Sequence, residues 1–116
     1  MRILTWHIPD GFAGTGEQGF SYYIDQDYTP EEVHVKAVIA PDAGDMQLDI
    51  KADGVSLLNE YVVVTRDDTE NDMPANFKES QTVNEGEWIT LEPVNLAGAK
   101  NISVNLVLRS VGDETD

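Results

Sequence analysis

A chain of 116 residues with no cysteine and a formal charge of −15, from 22 Asp and Glu against 7 Lys and Arg, excludes several functions before any motif is read. Disulfide frameworks and thiolate zinc sites need cysteine, and so acidic a surface repels the phosphate backbones of DNA and RNA. One domain of about this length can bury roughly two-thirds of its unfolded surface without a staple, no apolar run approaches the roughly 18 residues of a membrane span, and the polar start Met1–Ile8 does not read as a signal peptide.

Apolar residues recur at period two, the spacing of strands with one face on a core. Ile3–Ile8 is the first such piece. A glycine-rich stretch follows, in which Gly14-Thr-Gly-Glu-Gln-Gly19 satisfies G-x-G-x-x-G. A dinucleotide loop must open a helix, whose N-terminus faces the pyrophosphate. Here the next residues, Phe20–Ile24, are aromatic and β-branched, so the stretch reads as a loop between two strands.

Glu32–Ala40 places Val33, Val35, Ala37 and Ile39 on one face and His34 and Lys36 on the other, and Met46, Leu48 and Ile50 repeat the pattern. Asp53-Gly54 between alternating segments signals a type I′ hairpin, which needs φ > 0 at both residues. Val55–Leu58, Tyr61–Thr65 and Trp88–Glu92 are further strands, with turns at Pro41–Gly44, Asn84–Gly86 and Leu96–Gly98. Ile102, Val104, Leu106 and Leu108 make the closing strand a core strand, Ser103 and Asn105 facing away. The helix-compatible pieces are a turn at Pro30–Glu32 and Ala75–Glu79. Many short strands at this spacing indicate an all-β fold, an antiparallel β-sandwich of jelly-roll-like or immunoglobulin-like kind spanning residues 1–109, with 110–116 a flexible acidic tail.

Chemistry is sparse. Nucleophilic catalysis needs a Ser or Cys beside a His base, but both histidines, His7 and His34, lie inside strand patterns and no G-x-S-x-G elbow occurs. With 22 acids, a suitably spaced carboxylate pair carries no information. The chain is therefore expected to be no enzyme and to use no cofactor. Calcium is the metal worth weighing: Asp68, Glu70, Asp72 and Glu79 fall at the first, third, fifth and twelfth places of an EF-hand-like loop. The sixth place is Met73 where that loop requires Gly, so no metal site is assigned. Trp6, Tyr22, Tyr23, Tyr28 and Trp88 could form a platform for sugars or fill the core. Arg66–Phe77 is too long for a hairpin turn and too acidic to bury, which makes it a contact-surface candidate, and deleting residues 67 to 73 is expected to leave folding nearly intact because a loop change costs little closure entropy. Phe12, Phe20 and Phe77, in polar loops, together with Arg66, are the interface candidates.

The run from Tyr28 to Leu57 has a strand ending in Ala40-Pro41, a Gly-containing turn, the strand through Leu48-Asp49-Ile50 and the Asp53-Gly54 hairpin. With Asn84-Glu-Gly-Glu-Trp-Ile-Thr-Leu91 and Asn101-Ile-Ser-Val-Asn-Leu106, it resembles small β-sandwich virion proteins of tailed bacteriophages, of the capsid-decoration, head-fibre or tail-associated type. The resemblance implies a jelly-roll or related sandwich in the virion, displayed as a homo-oligomer and contacting capsid or other virion proteins, with no catalytic residues. A carbohydrate- or receptor-binding module that contacts a host-surface glycan is the alternative. Neither nucleic acid nor membrane is an expected partner.

Overall fold

The computed structural model describes residues 1–8, 21–71, 73–79 and 82–111. Eight strands are present among them: β1 (Arg2–Ile8), β2 (Ser21–Tyr23), β3 (Tyr28–Ile39), β4 (Met46–Ala52), β5 (Val55–Ser56), β6 (Val62–Val64), β7 (Trp88–Asn95) and β8 (Lys100–Ser110). All pairings are antiparallel. The first sheet has the order β1-β8-β3, and the second has β2-β7-β4-β5 with β6 also on β4.

The connectivity separates the two expected sandwich types. Each step from β1 to β4 crosses from one sheet to the other, whereas an immunoglobulin fold keeps its first two strands together. The chain instead behaves as one antiparallel ribbon wrapped over itself. β1 pairs with β8, β2 with β7 and β4 with β6. Between β6 and β7, residues 69–71 lie along β3: the Ala37 N–H donates to the Thr69 carbonyl at 2.8 Å, and Glu70 bridges Lys36. Segment 69–71 thus stands where the remaining strand of an eight-stranded jelly roll would lie, with β5 a short extension of the β4 hairpin.

Period-two patterning fills the space between the sheets. Leu4, Trp6 and Ile8 of β1, Val33, Val35 and Ala37 of β3, and Ile102, Val104, Leu106 and Leu108 of β8 face Met46, Leu48 and Ile50 of β4, Val62 and Val64 of β6, and Ile89 and Leu91 of β7. These residues are all buried, and no buried side-chain polar atom lacks a partner among the described residues. The hairpin turn takes the expected form, with φ of 48° at Asp53 and 86° at Gly54.

Three expectations change, the first being that Ile39, expected on the core face with Val33, Val35 and Ala37, is 50 % exposed at the end of β3, where the core has ended. Pro30–Glu32 is no helical turn but part of β3, where the register on β8 shifts between Pro30 and Glu32. Proline lacks an N–H and cannot serve a regular ladder, so a bulge is the conformation that keeps it in a strand. Residues 75–79 form no helix either: Phe77 bridges Leu58, and the Lys78 N–H donates to the Leu57 carbonyl at 3.0 Å. The backbone there lies against the β5 side of the second sheet, where Phe77 packs half-buried on the core. The closing strand runs through Ser110, which pairs with Tyr28.

Candidate functional site

Alternation along β2, β7 and β4 determines what the second sheet shows to water. Tyr22, Ile89, Leu91, Leu48 and Ile50 point inward, so Ser21, Tyr23, Trp88, Thr90, Glu92, Asp49 and Lys51 stand on the outer face. The register arranges them in rows. Tyr23 lies opposite Trp88, Ser21 opposite Thr90 and then Lys51, and Glu92 opposite Asp49. The Ser21 and Thr90 hydroxyls are 2.8 Å apart, and Lys51 Nζ donates to Glu92 Oε2 at 3.0 Å. Asp49 is 4 % exposed and accepts from the Ser56 hydroxyl at 2.6 Å and the Ile50 N–H at 2.8 Å, so its carboxylate braces the β4–β5 hairpin.

The five aromatics proposed as a platform divide. Trp6 (2 % exposed) and Tyr28 belong to the core, and Tyr22 packs edge-on against Trp6 at 5.3 Å while its hydroxyl donates to the Thr5 carbonyl. Tyr23 and Trp88 remain on the surface, 51 % and 49 % exposed, with ring centroids 5.3 Å apart and planes at 64°. The hairpin turn fixes the Trp88 backbone from one side: the main-chain N–H of Trp88 donates to Asp53 Oδ1 at 2.9 Å, and the Asp53 N–H donates to the Trp88 carbonyl at 3.0 Å. Near Tyr23, Asp25 accepts from the Tyr28 hydroxyl at 3.0 Å and from Arg2 at 2.8 Å. The Tyr28 hydrogen bond, aided by Arg2, holds the Asp25 carboxyl below its usual pKa.

The second candidate region is the outer edge of β3. Asn71 acts there as a substitute strand: its Oδ1 accepts from the Val35 N–H at 2.9 Å and its Nδ2 donates to the Val33 carbonyl at 3.1 Å. Beside it lies an open groove of about 550 Å³ lined by Glu32, His34, Lys36, Glu70, Met73 and Pro74, among others. The acidic segment is therefore partly a structural cover for an edge strand. A reading from length and charge missed this, because a side-chain amide that mimics a peptide leaves no periodic signal.

The calcium spacing is not gathered into a site. Glu70 sits on the β3 edge and Glu79 follows Lys78, which is hydrogen-bonded to Leu57 beside the other sheet. Among the described residues no three His, Cys, Asp or Glu side chains form a metal-holding group, and Asp72 lies outside those residues. Of the interface candidates, Phe12 and Phe20 also lie outside them, as does the glycine-rich loop. Arg66 is exposed, with its N–H donating to Asp45 Oδ1 at 2.9 Å. His34 is on an outer sheet face as expected, with Nε2 2.7 Å from Glu32 Oε1, and His7 shares that face from β1. No protein-family model, no curated protein and no solved structure matches the chain, so the functional reading rests on this geometry and on the resemblance in the strand and turn patterns.

Proposed function

We propose that this protein is a non-enzymatic structural module of a tailed-bacteriophage virion, a capsid decoration or head-fibre unit displayed in symmetric copies. The observation that carries the reading is the jelly-roll connectivity, built in part by the same run, Tyr28 to Leu57, that resembles virion sandwiches and here folds as β3, β4 and the β5 hairpin. Jelly rolls are a recurrent architecture of viral shells. The outer face of the first sheet further supports assembly. It exposes Ile3 (53 %) and Val38 (69 %) and balances Lys36 and Arg109 against Glu31 and Glu32, although the whole chain carries −15. A surface low in net charge is where copies of an acidic protein, or an acidic protein and a shell, approach with least repulsion.

Mass spectrometry of purified particles of the virus that encodes the chain tests the proposal. A copy number that is a simple fraction of the major shell protein's supports it, and absence from particles overturns it. A second reading, a carbohydrate- or receptor-binding sandwich, is favoured by one specific feature, the exposed Tyr23–Trp88 pair.

A further inference from the structure

We infer that the Tyr23–Trp88 end of the second sheet's outer face is a binding site for neutral glycans. This rests on the ligand-binding reading and is independent of any place in a virion. Large rings normally go to the core, and Trp6 and Tyr28 do so. Tyr23 and Trp88 keep about half their surface in water, although the backbone of each is held in place: Tyr23 by pairing with β7, and Trp88 by the bonds of its main-chain N–H and carbonyl to Asp53. Rings with two side-chain torsions, set on a fixed backbone and packed edge-on against each other, lose little conformational freedom when a ligand covers them.

The chemistry next to the rings selects the ligand. Outward residues on one strand recur about every 6.7 Å, so a ligand lying along β7 from Trp88 meets the Ser21–Thr90 hydroxyls next and the Lys51–Glu92 pair after that. A sugar chain matches this order. The C–H face of one ring stacks on the aromatic pair, and hydroxyls of the following units reach the exposed Ser21 hydroxyl, beside the buried Thr90, and then the partly exposed Lys51–Glu92 pair. The Ser21–Thr90 and Lys51–Glu92 pairs satisfy each other on the bare face, and the exposed Ser21 hydroxyl can take a further hydrogen bond from a sugar that an apolar partner does not offer. Sulfated or sialylated chains are disfavoured, because Asp53 flanks Trp88, Asp25 lies close to Tyr23 in sequence, and the whole protein is strongly negative.

The two tryptophans make the test direct, since Trp6 is 2 % exposed and Trp88 is 49 % exposed. Acrylamide quenching of the isolated protein should report on Trp88 and leave Trp6 as an internal reference for folding. The probes are maltotetraose, cellotetraose and tetra-N-acetylchitotetraose, followed by an array of neutral and acidic glycans. The expected result is protection of Trp88 by at least one neutral probe. Affinity measured on the array should fall at least tenfold in Trp88→Ala and in Tyr23→Ala and be partly kept in Trp88→Phe, with Trp6 emission unchanged throughout. Glycan binding that survives both alanine substitutions overturns this site but leaves the ligand-binding reading standing. No retention by any glycan overturns both. Preference for acidic glycans, or protection of Trp88 that grows with protein concentration alone, also overturns it, the latter by assigning the pair to contacts between copies.

Discussion

Replacing Asn71 by alanine removes the group that closes the β3 edge. The side chain makes two hydrogen bonds to β3, with the Val35 N–H and the Val33 carbonyl, both part-buried, and a third, exposed one with the Met73 carbonyl. An intramolecular hydrogen bond is worth about 0.5–1.5 kcal/mol net, and the exposed contact adds little, so Asn71→Ala should cost about 1–3 kcal/mol. At about 4 °C per kcal/mol for a domain of this size, Tm should fall by about 4–12 °C. Asn71→Asp should be at least as damaging, because it loses the donor to Val33 and sets a carboxylate oxygen against a carbonyl. Amide hydrogen exchange gives the sharper readout. Protection of Val35 should drop by at least tenfold more than that of Val104, which lies in the central strand of the same sheet. Unchanged Val35 exchange, or an Asn71→Asp protein as stable as the parent, would refute the claim that this amide holds the edge. Because exposed edges template pairing between chains, Asn71→Ala should also aggregate sooner on heating.

Other substitutions test other parts of the fold. Leu106→Ala, at a fully buried position, should cost about 2–5 kcal/mol in urea unfolding, whereas Asn105→Ala, which only accepts a 2.7 Å bond from Thr5, should cost about 1 kcal/mol; similar losses would mean that the faces of β8 are reversed. Gly98 has φ of +87°, and a Cβ there would sit 2.2 Å from Asp42 Oδ1, so Gly98→Ala should destabilise by about 1–2 kcal/mol even if Asp42 swings away. Because the folded pKa of Asp25 is lowered, its contribution is present above the unfolded value near 3.8 and is lost as pH falls through the folded value; Asp25→Asn should therefore flatten the stability–pH curve below about pH 4, and an unchanged slope would sink the assignment. Tm should rise between low and moderate NaCl, since screening weakens repulsion within a chain of −15; a flat or falling Tm would show that the acids are locally compensated.

The fold was legible where one face of a strand meets a core. Ile102, Val104, Leu106 and Leu108 announced β8, and Asp53-Gly54 announced its hairpin, because alternation and positive φ leave marks in sequence that need no knowledge of neighbours. Strand ends were less legible. β3 begins at Tyr28 rather than Glu32 because a bulge absorbs Pro30, and β7 continues to Asn95 because β4 supplies its partners. The sites were the least legible part. Trp6 and Trp88 look alike in composition, and only the register, which sends one inward and leaves the other beside Tyr23, tells a core ring from a surface one. Asn71 and Asp49 act through a few side-chain hydrogen bonds to backbone and hydroxyl groups, those of Asn71 reaching a strand distant in sequence, and no period encodes them.

The acidic segment joins these results to function. A surface loop could be deleted cheaply, because closure entropy changes slowly with length. Here, however, residues 69–71 stand in for a strand, and the loss of the Thr69 and Asn71 contacts would open the edge of β3. A jelly roll completed by so few bonds keeps its weakest pairing at a sheet margin, and local opening begins where pairing is sparse. The rest of β3 is held along its whole length by β8, so opening at the margin need not disturb the core. If the protein assembles in copies, β3 is the edge at which a neighbouring strand could most readily replace segment 69–71, while the Tyr23–Trp88 face on the other sheet would remain accessible. Assembly and ligand capture would then occupy different sheets of one small sandwich, and substitutions at Asn71 should change the first without changing the second.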